Sequence, residues 1–226
     1  GSLRRPAGTG EELLGPEEPG VGEEAELVEE DLLARGEERD ARGVVEALGV
    51  DDEEVVGEPL REAELGDLEL PTFMSEVMSP LAEVIDVFAD DVLIRHTWGD
   101  GIYLVFSAVD PAARCALAMQ AALEALDLGA LGLGALRGMR VGVHVGPVFE
   151  GTDPVSGQRS IYGANVTRAA RIEPRTPEGQ VYVTDQVAAL AALGGSDDLA
   201  CDYVGRLPAA KDHGILPMYV LTLRDR

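Results

Sequence analysis

From Leu70 onward apolar residues return at every third or fourth position: Leu70, Phe73, Met74, Val77, Met78, Leu81, Val84, Ile85 and Phe88. Residues so spaced share one face of a helix, so an amphipathic helix is expected here. Pro80 falls inside it and lacks an amide proton, which predicts a kink or a restart with Ser79 as N-cap. The period then shortens to two. Residues 92–106 read VLIRHTWGDGIYLVF, two apolar runs around Gly99-Asp100-Gly101, the pattern of a β-hairpin. Asp110-Pro111 opens a second helix with a stripe of Cys115, Ala118, Met119, Ala122, Leu123 and Leu126. Residues 139–145 alternate as a strand, 151–159 are turn-rich, 163–173 form a short helix and 180–184 a short strand. Asp185 caps an Ala/Leu helix, and residues 216–223 close the chain as a strand. Upstream, residues 44–50 read as a short strand and turn interrupted by Glu46. Helices and strands in this order describe an α+β sandwich, with helices over a mixed sheet.

The first 42 residues differ in kind. They are rich in Gly, Pro and Glu and have little apolar area to bury, so they read as an acidic arm or linker with helical tendency over residues 23–39. Residues 43–226 form the folded domain. Charge follows the same division: the net charge of −24 is carried mainly by residues 1–70. Such a chain repels nucleic acid and anionic membranes, so neither is expected as a partner. With no run of 18 apolar residues and no signal-peptide pattern, a cytoplasmic location is expected. Gly1-Ser2 reads as a cloning remnant on a piece of something longer. Cys115 and Cys201 lack metal-ligand spacing, and His96, His144 and His213 show no helical pairing, so a structural zinc site is not expected.

On its own, Asp100 is either a turn residue or a carboxylate lifted to the sheet edge, where it could hold a hard cation. Four blocks bear on the choice: residues 98–106 (WGDGIYLVF), 140–148 (RVGVHVGPV), 161–173 (IYGANV running to AARIE) and 177–183 (PEGQVYV). In this order and spacing, over roughly residues 70–224, the chain resembles the catalytic domain of class III nucleotidyl (adenylate/guanylate) cyclases. The likeness is greatest to a divergent bacterial branch with TWGD, DPVSGQ, RAARIEP and CDYVG blocks.

That resemblance implies a ferredoxin-like α+β core and a head-to-tail homodimer with active sites at the interface. It implies two divalent cations, Mg²⁺ or Mn²⁺, held by two aspartates that position a nucleoside triphosphate and activate its ribose 3′-hydroxyl. Asp100 corresponds to the second aspartate. The first stands in the family as F-A-D-hydrophobic-V-G-aromatic, for which Glu54-Val55-Val56-Gly57 offers Glu54, with Asp52 as a second candidate. The base-reading lysine falls at His96 and the base-selecting Asp or Thr at Ser160, so the base cannot be carried over. The transition-state Asn and Arg fall at Thr167 and Arg171, four residues apart and expected on one helix face. Lys211, the only lysine of the chain, falls where the family binds triphosphate. Two functions are then expected: a cyclase releasing a 3′,5′-cyclic nucleotide and pyrophosphate in intracellular signalling, or a degenerate module that dimerises or binds nucleotide without turnover.

Overall fold

The helical period beginning at Leu70 becomes α1 (Leu70–Phe73), a π-helical turn (Met74–Met78) and α2 (Ser79–Asp86) in the computed structural model. The structure describes residues 37–39, 44–47, 69–98, 101–134, 136, 138–194, 197–212 and 214–224. Pro80 neither breaks nor restarts the helix. The wider π turn absorbs it: the Ser79 amide reaches back five residues to the Met74 carbonyl. Ser79 is therefore no N-cap, since its hydroxyl also donates to Met74 O, at 3.2 Å. The wider i→i+5 step of a π turn precedes the proline, whose ring would clash with the carbonyl four residues back in a regular α-helix. The apolar stripe holds, with Phe73, Val77, Leu81 and Ile85 all buried.

The strands are β1 (Glu37–Arg39), β2 (Val44–Ala47), β3 (Val92–Trp98), β4 (Gly101–Phe106), β5 (Val141–His144), β6 (Val148–Thr152), β7 (Arg159–Tyr162), β8 (Val181–Thr184), β9 (Leu199–Pro208) and β10 (Ile215–Leu223). The remaining helices are α3 (Val109–Glu124), α4 (Ala164–Ala169) and α5 (Asp185–Leu193). Seven strands form one sheet in the order β3-β4-β2-β5-β8-β10-β9, with β5 and β8 parallel and the other pairs antiparallel. A second sheet has the order β1-β6-β7. This is the α+β arrangement of a mixed sheet with packed helices. Glu37–Arg39, read from sequence as part of the acidic arm, is a strand paired with β6 where helical tendency was expected. The rest of that arm, Asp51 to Glu54, and the Gly99-Asp100 turn lie outside the described residues.

Alternation divides the large sheet into two faces. Ile102, Leu104, Phe106, Val141, Val143, Val181 and Val183 pack with Phe73, Leu81, Met119 and Val187 of α1, α2, α3 and α5 in the main core. Burying such a side chain contributes about 1.5–3 kcal/mol. On the opposite face Tyr103, Val105 and Ile94 meet Val148, Ile161 and Ala169, while Tyr182 and Met218 meet Ile172. β5 is consequently buried on both sides. Gln120, buried in α3, ties this layer to the loops before β5 and β8 by donating to Met139 O (2.6 Å) and Gln180 O (2.9 Å).

Candidate functional site

α4 and the turns after it lie on the second face, over β5. Gly142 has no room for a side chain there: a Cβ would stand 2.7 Å from the Glu173 amide nitrogen and 3.1 Å from Ala169 O. Arg140, on the strand side, donates from Nε to the Glu173 carboxylate at 2.7 Å, with both side chains largely buried. Removing one member of such a pair typically costs ~3–5 kcal/mol, because the other charge is left stranded. Close backbone contact and a buried ion pair thus fix where α4 ends.

Thr167 sits inside α4, half-buried, its amide donating to Gly163 O at 3.3 Å. Arg171 lies beyond the helix. Its amide donates to Arg168 O (3.1 Å), and Ile172, Arg175 and Thr176 make the same three-residue step. The spacing of four therefore does not put Thr167 and Arg171 on one α-helical face, because tighter 3₁₀-type turns replace the α-helix after Ala169. Arg171 is half-buried, and its Nε has no hydrogen-bond partner among the described residues. A buried N–H left unsatisfied costs roughly 1–3 kcal/mol, so an anion brought to it would gain that much.

Lys211 is brought to Arg171 through the backbone. The amide of Ala210 donates to Arg171 O at 3.0 Å, fastening the turn Ala210–Asp212 to the segment after α4. Lys211 itself has φ 54° and ψ 43°, the one left-handed non-glycine backbone among the described residues. That conformation costs about 1–2 kcal/mol for an L-residue, and such strain concentrates where side chains are held for function.

His96 lies on β3 as register partner of the buried Tyr103. Ser160 lies on β7 opposite Gly151. The two strands are joined by Arg159, whose guanidinium donates to Leu93 O (2.8 Å) and to Glu150, and by the cluster of Ile94, Tyr103, Ile161 and Ala169. His96, Ser160 and α4 thus border one apolar cluster, and the segments carrying Arg171 and Lys211 are joined by the Ala210 contact.

Asp100, Glu54 and Asp52 lie outside the described residues. Among the described residues no group of three or more His, Cys, Asp or Glu side chains is placed to hold a metal. The chain does bring another acidic position to this region. Glu46 in β2 has Tyr103 and Gly142 as register partners, and β4 begins at the residue after Asp100. Residues 44–50, VVEALGV, repeat the acid–apolar–apolar–glycine order of 54–57 and add the apolar flanks that the later copy lacks. Those flanks were the available signal for it. Carboxylates are the donor chemistry a hard divalent cation takes.

Sequence reasoning also passed over His144. It is buried, with Nδ1 3.0 Å from Thr184 Oγ1 and Nε2 3.0 Å from Asn165 Oδ1. Burial holds its pKa below the ordinary imidazole range, with Arg168 adding to the depression and Asn165 and Asp185 opposing it.

A family model described as the adenylate and guanylate cyclase catalytic domain matches residues 69–221. Among solved structures, the adenylyl cyclase CyaB from P. aeruginosa superposes with TM-score 0.65 at 16% identity, covering 84% of this chain and 98% of that one. The guanylate cyclase domain of RhGC from Catenaria anguillulae, solved in complex with GTP, gives 0.64 at 15%, covering 84% and 100%. Adenylate cyclases from Trypanosoma brucei, in their monomeric state, give 0.62 at 18%, covering 83% and 96%. A search of curated protein sequences finds no match. At these identities the structural likeness concerns the fold.

Proposed function

Because this chain belongs to the adenylate and guanylate cyclase catalytic domain family, we propose that it is a nucleotidyl cyclase acting as a homodimer. In the reaction the ribose 3′-oxygen attacks the α-phosphorus and forms the 3′,5′-cyclic ester. The bond to the bridging oxygen breaks, pyrophosphate leaves, and the 3′-hydroxyl proton passes to solvent. Arg171 faces the charge that grows on the phosphoryl oxygens, and Thr167 supplies a hydroxyl donor. Lys211 holds the triphosphate, while His96 and Ser160 meet the base. Asp100 and a second carboxylate would hold the Mg²⁺ or Mn²⁺ pair, which would supply charge stabilisation for the phosphoryl transfer. For that second carboxylate we favour Glu46 over Glu54, on its apolar flanks and its strand beside β4.

The observation that carries this reading is the Ala210–Arg171 backbone hydrogen bond, which joins the segments bearing the two cations expected to meet a triphosphate. Thr167 supports the second reading, a binding module without turnover. A hydroxyl stands where the family's pattern has an amide, and a lost positioned donor costs about 100- to 1000-fold in rate. Turnover of the Arg171→Ala and Thr167→Asn variants separates the two. A cyclase loses its product with Arg171→Ala, and Thr167→Asn raises kcat by about tenfold or more. A module makes no product in either variant and still binds nucleotide.

A further inference from the structure

Asn165 is wedged at the start of α4. Its amide nitrogen donates to Pro147 O at 2.7 Å, and its side-chain oxygen faces His144 Nε2 at 3.0 Å. Beneath it Gly146 leaves no room, because a Cβ there would come within 2.4 Å of the Asn165 amide carbon. Since the Asn165 nitrogen is already donating, its oxygen must accept, which makes Nε2 the protonated nitrogen of His144. Nδ1 is then the acceptor for the Thr184 hydroxyl at 3.0 Å. One neutral imidazole, 1% exposed, so joins β5, β8 and α4 with both its nitrogens satisfied.

We propose that His144 is a positioning residue: through Asn165 it sets where α4 lies along the sheet, and with it the placing of Thr167 and Arg171. Thr167 follows Asn165 by two residues and Arg171 by six, within the short segment whose other end is held by Arg140–Glu173 and Gly142. The segment is pinned at both ends, and the candidate transition-state groups lie between the pins. The neutral ring fits this role, and burial favours the neutral form. The charged groups facing it are Arg168 of α4, which disfavours protonation, and Asp185 at the start of α5, which favours it. On protonation both nitrogens become donors, the Thr184 hydroxyl must turn away, and the network loses its unique arrangement.

The role rests on the cyclase reading, so its test has one arm that needs no turnover. Asparagine at this position presents its amide near Nδ1 and glutamine near Nε2. His144→Asn therefore keeps a partner for Thr184 and loses the bond to Asn165, while His144→Gln does the reverse. Amide hydrogen exchange at Val166, Thr167 and Ala170 is expected to quicken on the order of tenfold in His144→Asn and to stay near wild type in His144→Gln. Asn165→Ala, on the half-buried helix, removes the same bond together with the one to Pro147 O and is expected to quicken exchange at least as much as His144→Asn. In the turnover arm His144→Asn lowers kcat by about 100-fold with little change in KM, and His144→Gln restores most of it. Equal losses in the Asn and Gln variants, or unchanged α4 exchange in His144→Asn and Asn165→Ala, overturn the proposal. A folded wild-type chain that forms no cyclic product overturns the cyclase reading instead, and the exchange arm alone then decides the positioning role.

Discussion

At the scale of residues, chemistry at this site depends on which acids and cations the backbone can present. Arg171 offers a buried N–H with no hydrogen-bond partner among the described residues, whereas Arg140 is already paired with Glu173. The first of the two is free for a substrate anion in a way the second is not. Among the acids, Glu46 and Glu54 compete for one role, and a charge-removing change tells them apart. Glu46→Gln is expected to abolish metal-dependent turnover, and Glu54→Gln to leave it within a small factor. Metal titration of both variants checks this, and the reverse ranking returns the role to Glu54. Turnover is expected to favour Mn²⁺ over Mg²⁺, because a glutamate one methylene longer than aspartate suits the less exacting ion better.

At the scale of elements, the turn Ala210–Asp212 is held in a left-handed conformation at its single lysine. Lys211→Gly relieves about 1–2 kcal/mol of backbone strain and gives back about 0.4–1 kcal/mol through a freer unfolded chain. Denaturant unfolding is therefore expected to show equal or slightly higher stability while turnover falls. Lower stability with turnover retained would remove Lys211 from the site. Such local features explain what the sequence could and could not show. The periods of two and of three to four at residues 70–106 announce their elements, because a half-buried strand or helix must alternate. β9 gives no such sign: it is an edge strand exposed along its middle, with Asp202 and Gly205 in its run. The π turn was hidden too, since nothing local distinguishes a proline that restarts a helix from one absorbed by a bulge. Arg171 was legible as a cation of interest, but the 3₁₀ turns that carry it depend on Gly142 and Arg140, distant in sequence. The same holds for His144, whose partners Asn165 and Thr184 come from two other elements.

At the scale of the whole molecule, membership of the family and the mixed-sheet fold stand on the match over residues 69–221 and on the superposed cyclase structures. No helix among the described residues is long and apolar enough to cross a membrane. The homodimer is a proposal with a direct consequence. If each site takes its metal carboxylates from one protomer and its arginine from the other, Asp100→Ala and Arg171→Ala chains are each inactive alone. Mixed, they regain about a quarter of wild-type turnover by random pairing, with one intact site per heterodimer. No recovery in a mixture shown to exchange subunits would contradict the shared site.

Cyclase activity is tested most directly by a turnover assay with ATP, GTP, CTP and UTP in Mn²⁺, run beside Asp100→Ala. One 3′,5′-cyclic nucleotide and pyrophosphate are expected in equal amounts, abolished by the substitution. No cyclic product from any of the four, with the protein folded and dimeric, would contradict that activity.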